Sequence, residues 1–134
     1  MIISNSQAEA LLDALLGGEE YTPEADAYIG LVTSAPGNDG SGYTEVSGGS
    51  YARVNKTNNL TNFPAAASRT KSNGTEILFP TASAPWGTIV GVCVFFVSTG
   101  GSAALYAPLT EPRPVISTDV VSFAIGQLEF SIPA

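Results

Sequence analysis

The stretch Thr88-Ile89-Val90-Gly91-Val92-Cys93-Val94-Phe95-Phe96-Val97 is the longest apolar run in the chain, and it carries no charge. Its β-branched valines and isoleucine, with two phenylalanines, favour a strand over a helix. At about 3.3 Å per residue it can span roughly 30 Å. It lacks the strict alternation of a strand with one wet face, so both of its faces must be covered. One face is expected to meet the second sheet of a small sandwich. The other calls for the N-terminal helix or a neighbouring subunit. A membrane helix needs about 20 apolar residues, and the run is too short for one.

A core large enough to hold such a strand is available, because 44% of the 134 residues are hydrophobic. That length suits one domain with one core. Fourteen glycines and nine prolines, spread along the chain, imply many short strands joined by tight turns. With a single cysteine no intrachain disulfide can form, so packing must hold the fold. Met1-Ile2-Ile3 leads towards a capped helix without a basic n-region or long apolar h-region, which reads as a chain made in the cytosol.

Ser6-Gln7-Ala8-Glu9 has the form of a capping box. Ala8, Leu11, Leu12, Leu15 and Leu16 make a helical stripe, and Gly17-Gly18 stops it. A helix this short is marginal alone, so the leucines are expected to dock on the domain's own core or on an adjacent protein. An acidic linker follows, and residues 1–26 are assigned to an arm ahead of a domain over 27–134.

Eight strands are expected within that domain, at 27–33, 43–46, 51–56, 75–79, 88–97, 103–107, 120–125 and 127–132. Gly30 marks a bulge or a close approach. In the third strand Ala52, Val54 and Lys56 share one face, and Tyr51, Arg53 and Asn55 the other. Thr57 to Asn73 reads as an extended connection anchored by Leu60 and Phe63. Asn73-Gly74 signals a turn. Pro108, Pro112 and Pro114 confine their segment to an edge or a loop. The strand spacing gives an all-β, antiparallel sandwich of jelly-roll type plus a short N-terminal α-helix.

Charge is segregated. Up to Ala52 there are eight acids and no base; Arg53, Lys56, Arg69 and Lys71 then follow with no acid between them. This pattern sets an acidic head against a basic belt, its own or a neighbour's. Arg113, held between two prolines, is a further candidate for an intersubunit ion pair. Four clustered bases in a chain of net charge -7 are a poor footprint for nucleic acid. Candidate interface residues are therefore Leu11, Leu12, Leu15 and Leu16 on the helix, with Arg53, Lys56, Arg69, Lys71 and Arg113 on the domain.

Nothing in the sequence asks for catalysis or a cofactor. Histidine, the usual base and metal ligand near neutral pH, is absent. Cys93 lies in the most apolar stretch, where a thiolate is disfavoured. Asn38 and Asp39 sit among glycines but lack the spacing of a calcium loop. No glycine-rich loop joins a strand to a helix as a phosphate cradle. No small-molecule substrate and no membrane is implied. Trp86 reads as a packing residue. The other use for the aromatics is a glycan platform, should Tyr43, Tyr51, Trp86 and Tyr106 converge.

Three series carry a resemblance: Tyr28-Ile29-Gly30-Leu31-Val32-Thr33-Ser34-Ala35-Pro36, Gly48-Gly49-Ser50-Tyr51-Ala52-Arg53, and Ile77-Leu78-Phe79-Pro80-Thr81-Ala82 with Trp86-Gly87-Thr88-Ile89. Thr99-Gly100-Gly101, Leu109-Thr110-Glu111-Pro112-Arg113 and Phe123-Ala124-Ile125-Gly126-Gln127-Leu128 extend it. Over roughly 27–132 the chain resembles short virion structural proteins of tailed bacteriophages, a group that takes in capsid cement or decoration proteins and tail-fibre-like proteins. The resemblance implies a jelly-roll sandwich assembled as a homotrimer. It also implies a place on the capsid exterior, as a cement or decoration protein clamping the major capsid protein. A tail, collar or fibre component is the neighbouring expectation, and a receptor- or glycan-binding module the third.

Overall fold

The structure is a computed structural model and describes residues 1–133; the last residue of the expected domain lies outside them. The elements in chain order are β1 (Ile2–Ile3), α1 (Asn5–Gly17), β2 (Asp26–Ser34), β3 (Thr44–Glu45), β4 (Val54–Thr57), β5 (Thr70–Ser72), β6 (Ile77–Leu78), β7 (Gly87–Phe95), β8 (Leu105–Val115), β9 (Ser122–Phe123) and β10 (Glu129–Ser131). All eight expected strands are present, with shifted bounds. The two additions are β1 and β5, each too short to leave a periodic trace.

The larger sheet runs β1-β8-β7-β2-β3, and β4 shares the outer edge of β2 with β3. Every pairing is antiparallel. Two ribbons, β5 with β10 and β6 with β9, form the opposing layer. The main core lies between the layers. It joins Ile29 and Leu31 of β2 and Ile89, Val92 and Val94 of β7 to Ile77, Phe79, Val121, Leu128 and Phe130 from the ribbon side. The protein is thus an all-β sandwich with an N-terminal helix.

The apolar run becomes β7 and sits between β8 and β2, and from Gly91 to Phe95 it is buried throughout. Its second face is covered in a way the sequence did not reveal. Cys93 and Phe95 pack with Val32, Ala103 and Tyr106 in a smaller cluster on the outer side of the sheet, closed over by Tyr43 and Ile2. The Tyr106 ring lies where a side chain at position 91 would stand, so only glycine fits there. Neither the helix nor a neighbouring subunit is needed to cover this strand. The expectation that one of them must is corrected, and the ground it offered for a trimer goes with it.

Proline shapes β8. Gly91 pairs with Pro108, so regular pairing would set Ile89 against Thr110; it is set against Arg113, and three extra residues bulge out. A proline cannot donate to a ladder. Past Tyr106, β8 has no strand on its outer side, so the proline segment is an edge.

The helix begins earlier than the capping box implied. Ser4 is the N-cap and Ser6 lies inside the helix. The reason is β1: Ile2 and Ile3 pair with Tyr106 and Leu105, and the Ser4 N–H bonds the Ala104 carbonyl, which fixes the chain direction before Asn5. Gly18 closes the helix in the left-handed conformation, as its sequence signal indicates. Residues 57–73 are less extended than expected. Phe63 packs on the core, but Leu60 is exposed and anchors nothing. The Asn59 side chain turns the chain there by accepting the N–H groups of Thr61 and Asn62.

Candidate functional site

The densest polar arrangement forms where β3, the segment entering β4, and β7 meet over β2. Alternation along β4 puts Val54 and Lys56 on the face towards the main core and sends Arg53 to the other. Arg53 lies across the Phe95 ring, with its guanidinium carbon 3.4 Å from the ring centroid. Its Nε and Nη2 each donate to one carboxylate oxygen of Glu45, at 2.8 Å, and Nη1 donates to the Val97 carbonyl at 2.9 Å. The Tyr51 hydroxyl donates to Glu45 Oε2 at 2.6 Å and accepts the Leu31 N–H at 2.9 Å. Gly30 makes room: a Cβ there would lie 2.8 Å from Glu45 Oε2 and 2.9 Å from the Phe95 ring. Its predicted close approach is the feature that admits the ion pair.

The Arg53 side chain is 2% exposed and that of Glu45 18%. Burial opposes the guanidinium charge, yet the hydrogen bonds and negative charge of Glu45 outweigh it and raise the Arg53 pKa. Burial, with donation to Glu45, pushes the Tyr51 phenol well above its ordinary range. Each charged or polar atom of this cluster has a partner within the chain. A cleft of about 450 Å³ opens beside it, between Tyr28, Ser47 and the Ser98-Thr99-Gly100 turn.

This arrangement splits the basic belt. Arg53 is consumed by Glu45 and is no free cation. Lys56 lies half-buried opposite Ala27, and Lys71 half-buried opposite Phe130, so these two flank the other face of the domain. Arg69 is exposed, and its Nη1 reaches the Pro133 carbonyl at 3.4 Å. Arg113 is exposed at the far end of β8, opposite Ile89. Only Lys56 and Lys71 are drawn towards a common feature.

The helix carries the remaining candidates. It buries none of its residues: Leu11 is 37% exposed, Leu12 57%, Leu15 78% and Leu16 89%. The stripe does not cover its own core. Its base is tied down by β1, by the Asn5 N–H on the Asn38 carbonyl, and by Tyr21 donating to Gln7.

The aromatics do not form a platform. Trp86 is buried edge-on against Tyr51, and its Nε1 donates to the Gly49 carbonyl at 2.9 Å; Tyr106 is buried over Gly91. Tyr43 packs edge-on to Phe95. Trp86 is the packing residue expected of it. Asp39 is engaged in a surface turn, accepting the Ser41 N–H and hydroxyl, and these hydrogen bonds lower its pKa. Burial pushes the Cys93 thiol up to about 12. No group of three or more His, Cys, Asp or Glu side chains that could hold a metal occurs among the described residues.

Sequence reasoning missed one residue, Asn73. It is buried; its amide donates to the Thr75, Phe123 and Ala124 carbonyls, and its Oδ1 accepts the Leu128 N–H at 2.9 Å. It ties the segment after β5 to the chain between β9 and β10. Asparagine before glycine looks like turn chemistry whether the side chain faces water or not, so the sequence held no sign of this.

These features define an all-β structural module, with an internally satisfied polar hub and an apolar helix left bare. The family described as podophage GP4 fiber I protein gp80 matches residues 2–131, which takes in α1, both layers and the Arg53 hub. The chain belongs to that family, a family of phage virion structural proteins. No curated protein matches it.

Proposed function

We propose that the chain is a fibre component of a tailed-phage virion, acting by packing against other virion subunits and not by catalysis. The observation that carries this is the family match across residues 2–131, whose description is of a fibre protein. It favours the tail or fibre role over the capsid cement expected from the resemblance. The polar hub supports a passive role, since Arg53, Glu45 and Tyr51 spend their hydrogen bonds on each other. The chain also has no histidine to shuttle protons.

Copy number and position test this together. Tail fibres follow the low symmetry of the tail, whereas a capsid cement follows the many capsomers of the shell. Quantitative mass spectrometry of purified virions, with antibody-labelled electron micrographs, is expected to give a tail-like stoichiometry and label at the tail. Shell-like stoichiometry with label over the capsid refutes the proposal. Loss of the protein with the tail after mild disruption of particles supports it.

A further inference from the structure

The bare helix has a complement elsewhere on the same chain. Where the two layers part, an apolar groove of about 180 Å³ opens onto the main core. Phe63, Val94, Phe96, Leu105 and Phe130 line it, and Lys71 stands at its side. A dry cavity of about 150 Å³ accepts a benzene-sized guest, so this groove is of the size to accept leucine side chains. Lys56, on the same sheet face as the lining residue Ala27 and paired directly with it, adds a second cation beside the groove.

We infer that α1 of one copy docks its leucine face into this groove of a second copy. Charge selects that occupant. Glu9 and Asp13 lie one turn apart along the flank of the Leu12–Leu16 side of the helix, and no base occurs before Arg53. Among the described residues the one ion pair is Arg53–Glu45, and Lys56 and Lys71 have no acidic partner there. Acidic helix and lysine-flanked groove are complementary in sign as well as polarity, and each copy carries one of each. Docking buries the exposed Leu12, Leu15 and Leu16 and closes the open end of the core with the same contact. Two copies exchanging helices, or a closed ring passing each helix to the next, leave no helix bare.

The full-length protein tests this directly. Light scattering is expected to give a multiple of the protomer mass for the native chain and one protomer for the variant Leu12→Asp/Leu16→Asp. Both leucines are exposed in the single chain, so the variant's melting curve is expected to keep its cooperativity. Lys71→Glu is expected to weaken assembly at least tenfold, and Glu9→Lys/Asp13→Lys added to it to restore it. To separate docking between copies from folding back within one, Leu12→Cys chains are mixed with Asn58→Cys chains under mild oxidation. Asn58 lies on the groove wall. The expected product is a disulfide-linked pair containing one of each chain. A native chain that scatters as a single protomer overturns the inference. So does an oligomer that survives the leucine variant, or the absence of the mixed disulfide pair.

Discussion

Arg53→Met removes the charged half of the hub while keeping most of its volume. The variant leaves Glu45 with its carboxylate against Phe95 and Tyr51, and the Val97 carbonyl without its donor. Breaking a buried ion pair by removing one partner costs about 3–5 kcal/mol, because the remaining charge is stranded. Glu45 retains 18% side-chain exposure, so water relieves part of that, and the lower end, about 3 kcal/mol, applies. For a domain of this size such a loss lowers Tm by about 10 °C. Denaturant unfolding followed by tryptophan fluorescence is a suitable assay, since Trp86 packs on Tyr51 at the border of the hub. Glu45→Met in the Arg53→Met background removes the stranded charge, and the double variant is expected to recover at least half of the loss. A single variant within about 1 kcal/mol of the native protein refutes the reasoning, as does a double variant that is worse than the single one.

Three further outcomes follow from the packing. Gly91→Ala drives a methyl into the Tyr106 ring and is expected to cost about 1–3 kcal/mol; Tyr106→Leu should make the same alanine nearly neutral, as measured by a double-mutant cycle in urea. Asn73→Ala deletes a buried amide that answers three carbonyls and one N–H, and it is expected to lower stability by about 2–4 kcal/mol in chemical denaturation. With its pKa pushed up to about 12, Cys93 is expected to resist thiol reagents at pH 8 until the chain is unfolded. The unfolded thiol ionises near its ordinary value of 9.0, so stability held below that pH is expected to fall as pH rises from 9 towards 12. Reagent uptake by the native chain at the unfolded rate, or a flat stability profile over that range, contradicts this account.

Much of the sandwich was legible because its signals are local. Leu128, Phe130 and Ile132 against Gln127, Glu129 and Ser131 define a strand's two faces without any knowledge of its partner, and Leu128 and Phe130 are buried as that pattern requires. Ile132 of the same series is exposed, since pairing with β5 ends at Ser131. The candidate site was less legible. Arg53, Lys56, Arg69 and Lys71 look alike in a list of charges, and alternation separates Arg53 from Lys56 without naming a partner for either.

Periodicity, turn chemistry and composition were enough for the all-β class, the central apolar strand, the glycine that ends the helix and the proline-bearing edge, because each depends on neighbours within a few residues. The cover over Cys93 and Phe95, the capture of Arg53 by Glu45 and the exposure of the leucine stripe came only with the folded chain. Those outcomes rest on which distant segments lie side by side: Tyr106 over Gly91, Glu45 beside Arg53, β1 pinned to β8 ahead of the helix. A residue's chemistry states what it must satisfy, and strand order decides which residue is near enough to satisfy it.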